Sequence, residues 1–188
     1  MSDDVIRRAM EIQDRRRFLP ADVADEHLLD QPLPIGHGQT NSQPSTVERM
    51  VRLLEPFPGM RVLDVGSGSG WTTAILAELG GPESRVFAVE VIAALVERSR
   101  EAVEQSWASI HRAEHGVLGL PEHGPFDRIL VSAMADELPT ELVEQLTDGG
   151  ILVAPWADEL HRVRRTTQGL DITRHGGHRF VPLVHTRF

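Results

Sequence analysis

An apolar run, Arg61-Val62-Leu63-Asp64-Val65, stops at Gly66-Ser67-Gly68-Ser69-Gly70, and a helix-compatible stretch begins at Trp71. Strand, glycine turn and helix in that order constrain the fold more than any other feature of the chain. Glycines let the backbone turn sharply and approach a nucleotide-like ligand at the end of a parallel strand.

The alternation continues downstream. Residues 61–65, 85–90, 108–112, 126–133 and 151–155 read as strands, with 108–112 the weakest. Residues 71–79, 92–105 and 139–146 read as the helices between them, the second amphipathic through Leu95, Val96, Ser99 and Val103. Strands that alternate with helical spacing imply βαβ units and a parallel sheet. The tail differs: 160–167, a turn at Gln168-Gly169, 170–174, a second turn at Gly176-Gly177 and 179–184 read as antiparallel strands. The predicted fold is α/β, a Rossmann-like doubly wound, mostly parallel sheet with helices on both faces and an antiparallel C-terminal edge. A ligand belongs beyond the carboxyl ends of the first, second and fourth of these strands.

Upstream, residues 5–17 read as a helix with Val5, Ile6, Ala9, Met10 and Ile12 on one side, stopped by Phe18-Leu19-Pro20. Residues 21–43 read as irregular, a length that in a compact domain points to a functional loop or lid. Residues 44–54 return to helical spacing, with Ser45-x-x-Glu48 as a candidate capping box. At 188 residues the chain fits one domain. Within it, 1–57 carries the N-terminal helices and loop, 58–155 the βαβ core and 156–188 the antiparallel strands.

Composition narrows the function classes. A net charge of −9 disfavours nucleic acid as the main partner. The cluster Arg162, Arg164 and Arg165 reads as a solvated strand face. With no cysteine, disulfides, a thiolate nucleophile and thiolate metal ligands are out, and no metal site is expected. No apolar stretch approaches the ~18 residues that span a bilayer, and no charged-then-apolar leader opens the chain. The expectation is a cytoplasmic monomer without membrane contact.

The type of glycine turn selects the cofactor. A dinucleotide fingerprint needs a third small residue for close helix–strand packing, and Trp71 stands there; no Gly-Lys-Ser/Thr phosphate loop occurs either. The pattern Val-Leu-Asp-Val-Gly-Ser-Gly-Ser-Gly resembles motif I of the class I S-adenosylmethionine (SAM) methyltransferases. That resemblance implies a turn that passes under the amino-acid end of SAM, and it marks Asp64, Gly66, Ser67, Gly68 and Gly70 as cofactor-binding. Glu90 ends the second strand about 20 residues on, where a ribose-binding carboxylate belongs, and it can accept from both hydroxyls. The following helix N-terminus favours the methionine carboxylate of SAM.

Residues 34–44, Pro-Ile-Gly-His-Gly-Gln-Thr-Asn-Ser-Gln-Pro, are the second informative stretch. Two glycines, a prolyl turn and small polar groups suit a loop facing a ligand. The run resembles the signature loop of the protein-L-isoaspartate O-methyltransferases. Further segments resemble that family in the right order: Phe18-Leu19-Pro20, 62–77, Gly124-Pro125-Phe126-Asp127, Leu146-x-x-Gly149-Gly150-x-Leu152-Val153 and Arg179-Phe180-Val181-Pro182-Leu183. The resemblance covers nearly the whole chain. It implies methyl transfer from SAM to the α-carboxylate of an L-isoaspartyl residue in a damaged protein or peptide. It places Ser42 beside the reacting carboxylate as the catalytic residue, with Thr40, Asn41 and Val181 in contact with substrate. His37 receives a structural hydrogen bond and no catalytic role.

The chain departs from the family pattern in three places. Asn41 stands where the family has an apolar residue. Glu114-His115-Gly116 replaces Gly-Asp-Gly, which makes His115 and Gly116 the adenine-end candidates, with Glu114 as the alternative to His115. Residues 132–139 lack the first proline of the family's segment. These departures keep two other readings open: a methyltransferase acting on a different carboxylate, and a SAM-binding module without turnover.

Overall fold

A computed structural model describes residues 2–177 and 180–183. Arg179 and Val184, at the ends of the last strand expected from the sequence, lie outside the described residues. Helix α1 (Asp3–Ile12) leads through a 3₁₀ turn at Arg15–Phe18 to a hairpin of β1 (Leu33–Gly36) and β2 (Gln39–Asn41), then to α2 (Pro44–Leu54). The core follows as β3 (Arg61–Val65), α3 (Trp71–Gly80), β4 (Arg85–Glu90), α4 (Ala93–Ala102), β5 (Ala108–Arg112), β6 (Phe126–Val131), α5 (Thr140–Glu144), β7 (Leu146–Trp156), β8 (Glu159–Thr166) and β9 (Gly169–Gly177).

The last seven strands form one sheet in the order β5-β4-β3-β6-β7-β8-β9. Pairings from β5 to β7 are parallel, and β8 and β9 add antiparallel. This is the expected doubly wound sheet with its antiparallel edge. Alternate residues of each strand serve opposite layers. Val62, Val86, Leu130 and Val153 pack under α1, α2 and α3, while Leu63, Val89, Ile129 and Leu152 pack with Leu142 and Val143 of α5. The chain turns from β3 to β4 on one side and reaches β6 on the other, so the carboxyl end of β3 is the switch point where such sheets bind ligands.

Several local expectations needed tertiary correction. The first helix ends at Ile12 rather than residue 17. The carbonyl of Gln13 accepts from the Trp71 indole at 2.7 Å, and its side chain donates to Glu78 at 3.1 Å, which draws the chain out of the helix. Ile6 and Ala9 are buried, whereas Val5 and Ile12 stay exposed. Residues 33–41, read as irregular, form the hairpin: His37 and Gly38 both have positive φ, as a two-residue type I′ turn requires. His37 is exposed, and its recorded hydrogen bond is through its carbonyl, from Gln39. No capping box forms at Ser45. The Asp30 carboxylate instead accepts from the Ser45 N–H at 2.9 Å and from Gln43 at 3.0 Å, and these bonds lower its pKa.

The helix read as 139–146 is only Thr140–Glu144. The Gln145 side chain bridges Leu120 N–H, Leu118 C=O and Glu141 C=O, and its own carbonyl accepts from Phe126, so the chain enters β7 at once. Gly176-Gly177 is the end of β9, not a turn, and Val181–Leu183 brackets Met134 in a parallel bridge instead of adding an antiparallel strand. Two of the clustered arginines are pinned rather than merely solvated: Arg162 donates to Leu53 C=O and Glu55, and Arg165 to carbonyls at the end of α5. Among the described residues no helix is long and apolar enough to cross a membrane.

Gly70 is where glycine is most constrained. Its φ is +92°, and a Cβ there would lie 2.9 Å from Val103 Cγ2 and 3.3 Å from the Ser99 backbone of α4. Gly149 has φ +80° with open space around it. Urea unfolding of Gly70→Ala should therefore show a loss of about 2–5 kcal/mol, strain plus overpacking, against about 1–2 kcal/mol for strain alone in Gly149→Ala. Equal losses would mean that the α3–α4 approach is not tight.

Candidate active site

A cavity of about 310 Å³ opens at the carboxyl ends of β3, β4, β5 and β6. Its floor is the turn at residues 65–69 and the strand end at 89–92. One wall is residues 113–119 without 115, and the rim is residues 39–42 and 181–183. The acceptor-side loop and the glycine turn, 24 residues apart from Ser42 to Gly66 in sequence, thus face one space.

The turn is held by its own backbone. Gly66 N–H donates to the Val89 carbonyl at 2.8 Å, and Gly68 N–H to Glu90 Oε2 at 2.9 Å. Positive φ at Gly66, Gly68 and Gly70 winds the turn under the cavity. Ser67 lines it, and its hydroxyl is buried with no partner among the described residues. Glu90 is 6% exposed, and each of its oxygens takes one backbone N–H, from Gly68 and from Ile92, at 2.9 Å. A carboxylate offers about four acceptor sites, so two remain for a ligand diol at the cavity.

Of the residues singled out from the sequence, Thr40, Asn41, Ser42, Gly66, Ser67, Gly68, Glu90, Gly116 and Val181 line this cavity. Three do not. Asp64 lies wholly buried beneath the turn, where Thr73 donates to its Oδ2 at 2.7 Å and Oδ1 has no hydrogen bond among the described residues. Burial pushes its pKa up to about 7; the Thr73 and Ser132 hydroxyls oppose the rise and the Glu90 charge adds to it. Gly70 serves the α3–α4 contact. His115 is exposed and off the cavity, while Glu114 and Gly116 on either side of it line the wall. Val181 lines the rim, and its carbonyl accepts from Met134 N–H at 2.8 Å, which fixes the 181–183 segment against the chain after β6.

Arg15, not singled out from the sequence, organises the rim. Its guanidinium is buried and donates to five carbonyls, of His27, Leu29, Gln31, Asn41 and Ser42, and to Asn41 Oδ1 at 2.7 Å. It also lies over the Trp71 ring, 5.3 Å from the centroid. Burial lowers its pKa to about 10, and the Asp30 charge offsets part of that. It stays charged at neutral pH. The Ser42 hydroxyl makes no hydrogen bond recorded among the described residues, so its proton is available to a ligand while its carbonyl is clamped. Inside the run Arg15-Arg16-Arg17 no local signal separates the buried member from its exposed neighbours.

The arrangement can hold an extended, diol-bearing cofactor on the turn and present an acceptor to it from the rim. No group of three or more His, Asp or Glu side chains is placed to hold a metal among the described residues. The sequence matches the protein-L-isoaspartate(D-aspartate) O-methyltransferase family over residues 1–187. A protein-L-isoaspartate O-methyltransferase of Methanopyrus kandleri is 42% identical over 179 residues, 90% of this chain and 79% of the relative. One from Methanococcoides burtonii is 40% identical over 190 residues, 97% and 93% of the two chains. A Plasmodium falciparum structure described under the same activity, solved with S-adenosyl-L-homocysteine (SAH), superposes with a TM-score of 0.86 at 28% identity, covering 98% of this chain and 92% of the other.

The raised pKa of Asp64 has a definite sign. Between its ordinary value near 4 and about 7 the folded state binds more protons than the unfolded one, so this group makes stability fall as pH rises through that window. Asp64→Asn should flatten that slope and, by a few kcal/mol, raise stability at pH 8 relative to wild type. Parallel denaturant curves at pH 5 and pH 8 check this; an unchanged slope contradicts it.

Proposed function

The chain belongs to the protein-L-isoaspartate(D-aspartate) O-methyltransferase family, and from that membership we propose that it methylates the α-carboxylate of L-isoaspartyl residues in damaged proteins or peptides, with SAM as donor. The single observation that carries the reading is that Ser42 and the 66–69 turn line one cavity. The residues fit the cofactor: the buried Ser67 hydroxyl lacks a partner, Glu90 keeps two acceptor sites, and left-handed glycines leave room above the turn.

Glu90 would hold the ribose hydroxyls, the turn and the α3 N-terminus the amino-acid end, and Glu114 with Gly116 the adenine end. When bound, SAM supplies a methyl already activated on a sulfonium. The acceptor carboxylate is ionised at neutral pH, so this chain needs no general base and no proton changes hands. One carboxylate oxygen gains the methyl as the S–CH₃ bond breaks, and SAH departs as a neutral thioether. The following backbone amide nitrogen then attacks the methyl ester, expelling methanol to leave a succinimide, and water opens that ring in part to normal aspartate. The work of the protein is alignment, which in favourable cases lowers a barrier by roughly 7–11 kcal/mol. Ser42 donates to the carboxylate and aims it at the methyl. The Asn41 amide bonds Arg15 and Ser69, so its polar side chain has a structural role in the rim.

An isoaspartyl peptide incubated with radiolabelled SAM should acquire base-labile label, and its aspartyl twin none. Ser42→Ala should lower kcat/KM about tenfold or more through lost alignment. No transfer at saturating SAM would overturn the reading.

A further inference from the structure

Asn41 stands where the family resemblance implies an apolar side chain, and its amide is buried and fully directed. Arginine carries only donors, so the carboxamide oxygen must face Arg15 Nε, at 2.7 Å, and the nitrogen then donates to Ser69 Oγ at 3.3 Å. Ser69 belongs to the glycine turn and is 2% exposed. One end of Asn41 is therefore tied to the guanidinium that holds the Leu29, Gln31 and Ser42 carbonyls, and the other to the floor of the cavity. A leucine of similar size would fill the space and make neither bond. A second contact joins the same two elements: Ile35 of the hairpin sits 3.2 Å from where a Cβ on Gly68 would be.

We propose that Asn41 is a positioning residue that couples the two halves of the site. A cofactor seated on residues 66–69 restrains Ser69, and the bonds through Asn41 and Arg15 pass that restraint to the loop carrying Ser42. By linkage the effect is reciprocal: the acceptor tightens cofactor binding by the same factor. The inference takes its ligands from the proposed function, but the Ser69–Asn41–Arg15 connection stands apart from it.

The test uses SAH, an isoaspartyl peptide and three proteins: wild type, Asn41→Leu and the milder Ser69→Ala, which removes only one bond. In wild type, SAH slows amide exchange of residues 39–42 several-fold, and the peptide raises SAH affinity in calorimetry. In Ser69→Ala, compared at saturating SAH, the protection and the peptide effect are largely lost and the acceptor KM rises about three- to tenfold, the scale of one hydrogen bond. Asn41→Leu shows the same pattern, more strongly. SAH binding with equal protection in all three proteins overturns the coupling. Protection intact in wild type but lost in both variants, with no methyl transfer, supports the coupling and overturns only the acceptor assignment. Wild type that fails to bind SAH overturns both.

Discussion

A buried guanidinium is the constraint on which the acceptor side of this molecule depends. Among the described residues no carboxylate hydrogen-bonds Arg15, though the Asp30 charge acts on it. Desolvating a cation costs several kcal/mol unless hydrogen bonds replace the lost water. Here five N–H donors are shared among six oxygens, with the Trp71 ring alongside. The segment from His27 to Ser42 is otherwise held by its own hairpin, by the Asp30 bonds at the start of α2, by Asn41 on Ser69 and by a small apolar cluster of Leu19, Leu33, Ile35 and Leu95. The fork of arginine suits this task because its donors radiate in a fixed plane, which a lysine ammonium cannot reproduce. The position of Ser42 follows, since one of the five clamped carbonyls is its own.

Trp71 links this clamp to the cofactor side. It is the first residue of α3, directly after the glycine turn. Its indole N–H donates to the Gln13 carbonyl and its face meets Arg15. The residue that argues against a dinucleotide turn is thus the one that docks the N-terminal segment. In the proposed function the parallel sheet and its switch point would place the donor and the N-terminal clamp the acceptor, joined through Asn41 and Ser69.

What was legible in the sequence followed local periodicity and turn chemistry. The strands from 61 to 131, the order of α and β elements, the glycine turn and Glu90 all announce themselves within a few residues. What was not legible depended on partners far away in the chain. The end of α1 is set by Trp71 and Glu78, the cap of α2 by Asp30, and the short α5 by Gln145 reaching back to Leu118 and Leu120. The 33–41 hairpin was hidden because its strands are four and three residues long, and Gly36-His37-Gly38 reads as a loop. Arg15 was hidden among three arginines. At residues 114–116 the pattern located the wall but not which side chain faces it. Asp64 was recognised as part of the motif, but its burial beneath the turn required the Thr73 contact from α3 to be seen.

The central claim is that Arg15 sets the position of the loop that carries Ser42. Measuring SAH affinity and the kcat/KM for an isoaspartyl peptide in Arg15→Lys tests it most directly. The account predicts SAH affinity within about threefold of wild type and a kcat/KM lowered by about tenfold or more, as one ammonium replaces the fork. Equal losses in both quantities, or none in either, would contradict it.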